Sequence, residues 1–242
     1  MGMQDTGIRS VVTINDPAGQ HAIDQHERLA PGAVLTVAER AQAVLRHDVG
    51  ARLLLDGGAA LTVSERGAAL RAGRLWADAS AQIELQLGEL TLVCTPARHF
   101  SGRFLTRNTT LWASWALIGP QHRAFFGGDT GYTKSFGDIG ADYGPFDLTL
   151  MPIGAYHAGW PDIHMNPEFA VRAHRDVTDS GLLVPIHWAT FRLAPHPWSE
   201  PVERMIVAAR DESVDVAVPM PGQRLEPARL PGLDEWWRPS SQ

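Results

Sequence analysis

Cysteine is almost missing from this 242-residue sequence: Cys94 stands alone. No internal disulfide can form, and no cysteine framework for zinc exists. A chain without disulfides fits a reducing, cytoplasmic setting. Long apolar runs are missing too, so no segment reads as a bilayer span. The opening residues, MGMQDTGIRSVVTIND, lack the basic region and apolar core of a secretory signal. Peripheral contact with a membrane stays open, because the 8 Trp could serve it, although core packing is the commoner use of such side chains. Positive charge is not gathered anywhere. The net charge is −6 and no run of Lys or Arg forms a stripe, which argues against a nucleic-acid partner.

Aromatic residues are scarce in one place only. The sequence has 8 Trp, 8 Phe and 3 Tyr, yet only Trp76 precedes Phe100. The stretch before Phe100 is rich in Ala, Arg, Leu and Gly, and offers few large side chains for a core. What remains is ordinary for one soluble globular domain, with 44% hydrophobic and 20% charged residues.

Patterning along the chain alternates. RSVVTIN reads as a strand, residues 34–47 have helical spacing, ARLLLD reads as a strand and residues 59–73 as a helix. Residues 83–94 alternate about a Gly-Glu turn, and residues 109–119 and 122–128 flank a Gly-Pro turn, so both read as hairpins. YTKSFGDIGADYG is a short helix and FDLTLMPIG a buried strand. NPEFAVRAHRDVTD has Asn at the N-cap and Pro at the first helical position. A strand (GLLVPIHW), a helix (PVERMIVAARD) and a last strand (VDVAVP) follow, and Trp236 and Trp237 form a tail expected to dock on the body. Hairpins followed by alternating strands and helices predict a mixed α/β sandwich.

Three strands end in a side chain able to bind metal. His99 follows TLVCTPAR, Asp129 follows FFGG, and His187 closes LLVPIH. Singly, each has a plainer use: a strand-end His is commonly a hydrogen-bonded structural residue, and an Asp after Gly-Gly commonly caps a helix. Jointly they suggest convergence, since strand ends gather at one edge of an α/β sheet. Two imidazoles and a carboxylate suit zinc or iron.

The ordered motifs TPARHFSGR (95–103), LWASWALIG (111–119), FFGGDTGY (125–132), GPFDLTLMPIGAY (144–156), HMNPEFAV (164–171) and IHWATFRLA (186–194) resemble the C-terminal part of metallo-β-lactamase-fold hydrolases. More narrowly they resemble N-acylphosphatidylethanolamine-hydrolysing phospholipase D and its bacterial relatives, over roughly residues 82 to 220. The resemblance implies an α/β fold, the αββα sandwich of that superfamily, incomplete or diverged in its N-terminal half. It implies that His99 binds one metal, Asp129 bridges two metals and His187 binds the second. By the same match His164 contacts the substrate phosphate, where helix-start N–H groups would also favour an anion. Asp129 and His164 would then be the catalytic pair. Asp147 is expected to orient a loop. The implied cofactor is zinc, and the implied reaction is attack of a zinc-bound hydroxide on a small-molecule or lipid phosphodiester.

The family's hallmark, His-x-His-x-Asp-His, is missing from this sequence. HAIDQH offers only His21, Asp24 and His26, with Ile23 and Gln25 where the second His and the Asp should stand. Residues 1–81 therefore read as a diverged or truncated part of the fold and residues 82–242 as its recognisable part, one domain overall; a shifted reading frame would give the same picture. His99, Asp129 and His187 can hold one zinc but not two, unless His21, Asp24 or His26 joins them. Two readings follow: a metal-dependent phosphodiesterase, or a silent remnant of the fold. Hydrolysis of a lactam or thioester is a third. Elsewhere, His157 and His174 read as exposed, Arg98 and Arg103 could meet a phosphate, Ser101 lacks a nucleophile elbow, and Cys94 reads as a buried inert thiol.

Overall fold

The computed structural model describes residues 12–16, 19–22, 29–39, 43–46, 52–65, 67–78, 84–103, 106–108, 112–226 and 234–238. The chain divides into two compact units, Met1–Leu92 and Val93–Gln242.

The first unit shows strands and no helix among its described residues. They are β1 (Val12–Asp16), β2 (Gly19–Ala22), β3 (Val34–Val37), β4 (Ala43–Arg46), β5 (Arg52–Leu55), β6 (Ala60–Val63), β7 (Gly67–Ala72), β8 (Leu75–Asp78) and β9 (Glu84–Leu87). One sheet runs β9-β7-β6-β3-β1-β2, and a second runs β4-β5-β8. Where a helix was expected over 34–47 the chain forms β3 and β4, which lie in different sheets, and where one was expected over 59–73 it forms the antiparallel pair β6 and β7. In β3, Leu35 and Val37 are buried while Thr36 between them is exposed, a period of two that a helix cannot satisfy. Between β6 and β7 the chain reverses, with the Ser64 N–H donating to Gly67 O at 2.9 Å. A side chain at Gly67 would put a Cβ 1.8 Å from Glu84 O, so glycine is what lets β7 begin alongside β9. Leu35, Leu55 and Leu61, each 0% exposed, fill this unit's interior where aromatics are lacking.

The second unit takes in the end of β10 (Leu90–Ala97), followed by β11 (Gly102–Arg103), β12 (Thr106–Arg107), β13 (Trp112–Ile118), β14 (Arg123–Phe126), α1 (Ser135–Tyr143), β15 (Leu148–Pro152), α2 (Pro167–Val177), β16 (Leu182–Ile186), α3 (Glu200–Asp211) and β17 (Asp215–Val216). Its sheet runs β10-β13-β14-β15-β16-β17. β13 and β14 form the expected antiparallel hairpin, and β14 to β17 are parallel to one another. The helices connect these parallel strands, and α2 packs against α1, α3 and β15.

Local chemistry explains the elements. Asn166 caps α2 by accepting the Phe169 N–H at 2.8 Å, and Pro167 needs no partner at the first turn. Phe125, Phe136, Phe146, Met151 and Leu183 make a core of large side chains, each at most 1% exposed. Trp237 docks on this core, 3% exposed, its indole N–H donating to Glu203 at 2.8 Å. His174 corrects an expectation. It is buried on α2 rather than exposed, and its Nδ1 pairs with Thr149 Oγ1 at 2.8 Å. His157 is exposed, as expected, and Cys94 is buried. Among the described residues no helix is long and apolar enough to cross a membrane.

Candidate metal centre

Because β14, β15 and β16 are parallel, their carboxyl ends share one edge of the sheet. Asp129 follows β14 after Gly127-Gly128, His164 lies in the loop from β15 to α2, and His187 directly follows β16. His99 stands two residues beyond β10.

Glycines make these strand ends fit together. Gly128 turns the chain with φ +63°, a conformation that other residues rarely adopt. At Gly154 a Cβ would lie 2.3 Å from His187 O, so its bare backbone lets the ends of β15 and β16 close up. His187 itself has φ +59°, unusual for a residue with a side chain and held here by its neighbours.

Thr130, 0% exposed, ties three of the loops together. Its hydroxyl accepts the Arg98 N–H at 2.9 Å, its carbonyl accepts the Met165 N–H at 3.1 Å, and Gly131 next to it donates to Arg98 O at 2.8 Å. The residues so joined are the immediate neighbours of His99, Asp129 and His164. The loops are therefore locked at the positions that aim the three side chains.

The outcome is a cluster: one candidate ligand atom from each of His99, Asp129 and His164 lies within 4.8 Å of the others. Among the described residues it is the single such group. His187 borders it, with Nε2 3.3 Å from Asp129 Oδ1 and its ring 4.6 Å from that of His164. The mutual set thus differs from the expected trio of His99, Asp129 and His187 by holding His164 in place of His187.

Hydrogen bonds orient two of these rings. A carbonyl oxygen can only accept, so His164 Nδ1 donates its proton to Ala155 O at 2.9 Å, and His99 Nδ1 donates to Phe100 O at 2.8 Å. In the neutral ring each Nε2 then carries a lone pair, which is how ligating histidines are commonly oriented. Burial, reinforced by the charges that His187 and His99 would carry, lowers the pKa of His164 from its ordinary value; the Ala155 bond and Asp129 oppose this. The neutral, metal-competent ring is favoured. His187 has no such anchor: its Nδ1 is buried with no hydrogen-bond partner among the described residues.

Two imidazoles and a carboxylate are donors of the kind that zinc takes. Bonds of about 2.0–2.1 Å at tetrahedral angles place neighbouring donors roughly 3.4 Å apart. The 3.3 Å from His187 Nε2 to Asp129 Oδ1 is close to that edge and equally to an N–H···O contact, while the atoms of His99, Asp129 and His164 lie within 4.8 Å of one another.

Other candidates fall elsewhere. β2 carries His21 opposite Ile14, but its side chain, Asp24 and His26 lie outside the described residues. Arg98 is engaged by Asp162 at 2.7 Å, the Arg103 side chain is outside the described residues, and Ser101 is buried. Asp147 accepts the Arg123 N–H at 2.8 Å and so holds a turn. A groove of about 890 Å³ between α2 and α3 is lined by none of the four site residues.

A family model described as a beta-lactamase superfamily domain matches residues 24–188. Over 229 residues the chain is 58% identical to an uncharacterized protein of Mycobacterium tuberculosis, covering 88% of this chain and 62% of that protein. The chain thus spans less than two thirds of this relative's length. It is 37% identical over 135 residues to the N-acyl-phosphatidylethanolamine-hydrolyzing phospholipase D 1 of Caenorhabditis elegans, covering 53% of this chain and 38% of that enzyme. Among solved structures, the metallo hydrolase Igni18 of Ignicoccus hospitalis gives a TM-score of 0.44 at 24% identity, covering 57% of this chain and 52% of the other. The family match begins at residue 24, upstream of the span 82–220 that carries the motif resemblance. With well over half of its residues inside that match, the chain belongs to the beta-lactamase superfamily, with a mixed α/β sandwich of metallo-β-lactamase-like topology.

Proposed function

We propose that the chain binds one divalent cation, zinc being the best fit, on His99, Asp129 and His164 with His187 alongside. The observation that carries this reading is the convergence of these ligand atoms from separate loops, with two Nδ1–H groups anchored on backbone carbonyls. The described residues supply this one cluster, and the side chains of His21, Asp24 and His26, the other ligands considered, lie outside them. The first reading is therefore a mononuclear centre with weak hydrolytic activity or none.

A cation bound there supplies Lewis-acid polarisation and acidifies water. The chain's own residues then divide the work. Asp129 presents carboxylate charge at the mouth of the cluster, and His187 Nε2 lies within reach to hold a proton against Asp129 Oδ1. His99 is flanked by Phe100 and Trp112, both exposed, with ring centroids 4.8 Å away in each case. Those faces suit a substrate with an apolar portion. Phosphodiester hydrolysis is the second reading, supported by the partial match to a phospholipase D-type enzyme.

Calorimetric titration of zinc into metal-free protein tests the first reading: a single equivalent is expected, lost in Asp129→Asn. Two tight equivalents would overturn it. Zinc-dependent cleavage of bis(p-nitrophenyl) phosphate, abolished in His187→Ala, would support the second reading, whereas equal turnover in parent and variant would reject it.

A further inference from the structure

We propose that His196, outside the cluster, is a positioning residue that fixes His164 through the backbone of Ala155. This rests on the reading of His164 as a metal ligand.

Ala155 has φ +60°, a left-handed conformation that costs a residue with a Cβ on the order of 1 kcal/mol or more and persists only where neighbours hold it. The neighbours can be named. The Ala155 N–H donates to His196 Nε2 at 3.0 Å. On the other side, Ala155 O accepts both the His164 Nδ1–H and the Trp160 Nε1–H, each at 2.9 Å. One peptide oxygen therefore aims His164, and His196 holds the residue to which that oxygen belongs.

His196 is itself held at both ring nitrogens and on one ring face. A backbone N–H can only donate, so His196 Nε2 carries a lone pair, and its Nδ1–H donates to Pro197 O at 3.0 Å. Its ring stacks on Tyr156 at 4.6 Å and 18°. Tyr156 in turn donates to Glu200 at 2.6 Å and accepts from Arg204 at 3.1 Å, while Arg204 forks onto Glu168 at 2.9 and 2.7 Å. Burial and the bond to Glu200 raise the pKa of the Tyr156 phenol, so it stays neutral and keeps donating. The line from the two helices to the cluster is continuous: α2 and α3 hold Tyr156, Tyr156 holds the His196 ring, His196 holds Ala155, and Ala155 orients His164.

Two substitutions separate this role from plain packing. His196→Phe keeps a ring on Tyr156 but loses the acceptor, whereas His196→Gln loses the ring but places an amide oxygen near the Nε2 position. Zinc affinity is measured by titration, and the hydrogen-bonded Nδ1–H resonance of His164 is followed by NMR without metal, assigned by its loss in His164→Gln. His196→Phe should bind zinc about 10- to 100-fold more weakly and lose the His164 resonance, the scale typical of groups that orient a ligand. His196→Gln should restore both to near the parent. If the Phe variant does not fold, His196→Asn, whose amide falls short of Ala155, takes its place.

Parent-like affinity and an unchanged resonance in His196→Phe would overturn the proposal, and so would equal losses in the Phe and Gln variants. If the parent binds no zinc, the metal reading fails by itself and the resonance alone decides the positioning role.

Discussion

Acidification from about pH 7.5 to about pH 5 should cost the folded chain about 2 kcal/mol through His174 alone. This side chain is 2% exposed between α2 and β15. Burial first, and the Arg175 charge second, push its pKa down from 6.5 to about 4. The folded pKa lies below the unfolded one, so between the two values the unfolded chain takes up a proton that the folded chain refuses. Stability is therefore fully present at neutral pH, falls as the pH drops below about 6.5, and stops falling through this group below about 4. The slope inside that window approaches about 1.4 kcal/mol per pH unit, and the whole passage amounts to about 3 kcal/mol. Urea unfolding followed by circular dichroism, for the parent and for His174→Gln, isolates the contribution. The Gln variant keeps a polar partner for Thr149 but does not titrate, while carboxylates elsewhere act equally on both proteins. The parent should lose about 2 kcal/mol more than the variant over that interval. Equal losses would refute the reasoning and mean that His174 is protonated within the fold.

Two further substitutions probe how the site is supported. Gly154→Ala would set a methyl group 2.3 Å from His187 O, so the end of β16 must move. The expected loss is about 1–3 kcal/mol of stability with weakened zinc binding; unchanged urea and zinc titrations would show that the strand ends do not need this close approach. Trp237→Ala should cost about 3–5 kcal/mol, since the ring is almost wholly buried. Trp237→Phe should cost about 1 kcal/mol for the lost bond to Glu203. An Ala variant as stable as the parent in urea would mean that the tail contributes nothing to the fold.

The sequence was most legible where chemistry is local. The cap and proline that open α2 and the turn between β13 and β14 each act through neighbours along the chain, and each forms the element expected of it. Residues 34–47 and 59–73 were misread because short Leu, Val and Ala runs fit periods of two and of 3.6 alike. Only the pairing partners, such as Thr36 with Thr13 and Ala60, settle the matter. His174 was misread for a related reason. Arginines on both sides suggested a polar face, but the burial of one helical position depends on the strand beneath it.

At the candidate site, His99, Asp129 and His187 were visible as residues beyond strand ends, and His164 only through the family resemblance, as a phosphate contact. Their allocation was not, because the choice between His164 and His187 turns on distances between loops far apart along the chain. Ala155, Thr130 and His196 gave almost no signal: they act through peptide groups, which leave no trace in side-chain chemistry.

The stack of Trp112 on His99, 4.8 Å between ring centres and tilted by 25°, gives the chain an optical label of its own. Indole emission is sensitive to the electron demand of whatever lies flat against it. An imidazole that has given its lone pair to a cation is a hungrier neighbour than one that has not. Were His99 to take a cation as proposed, the emission of this indole, one of 8 in the chain, would be expected to change with occupancy, with no dye attached.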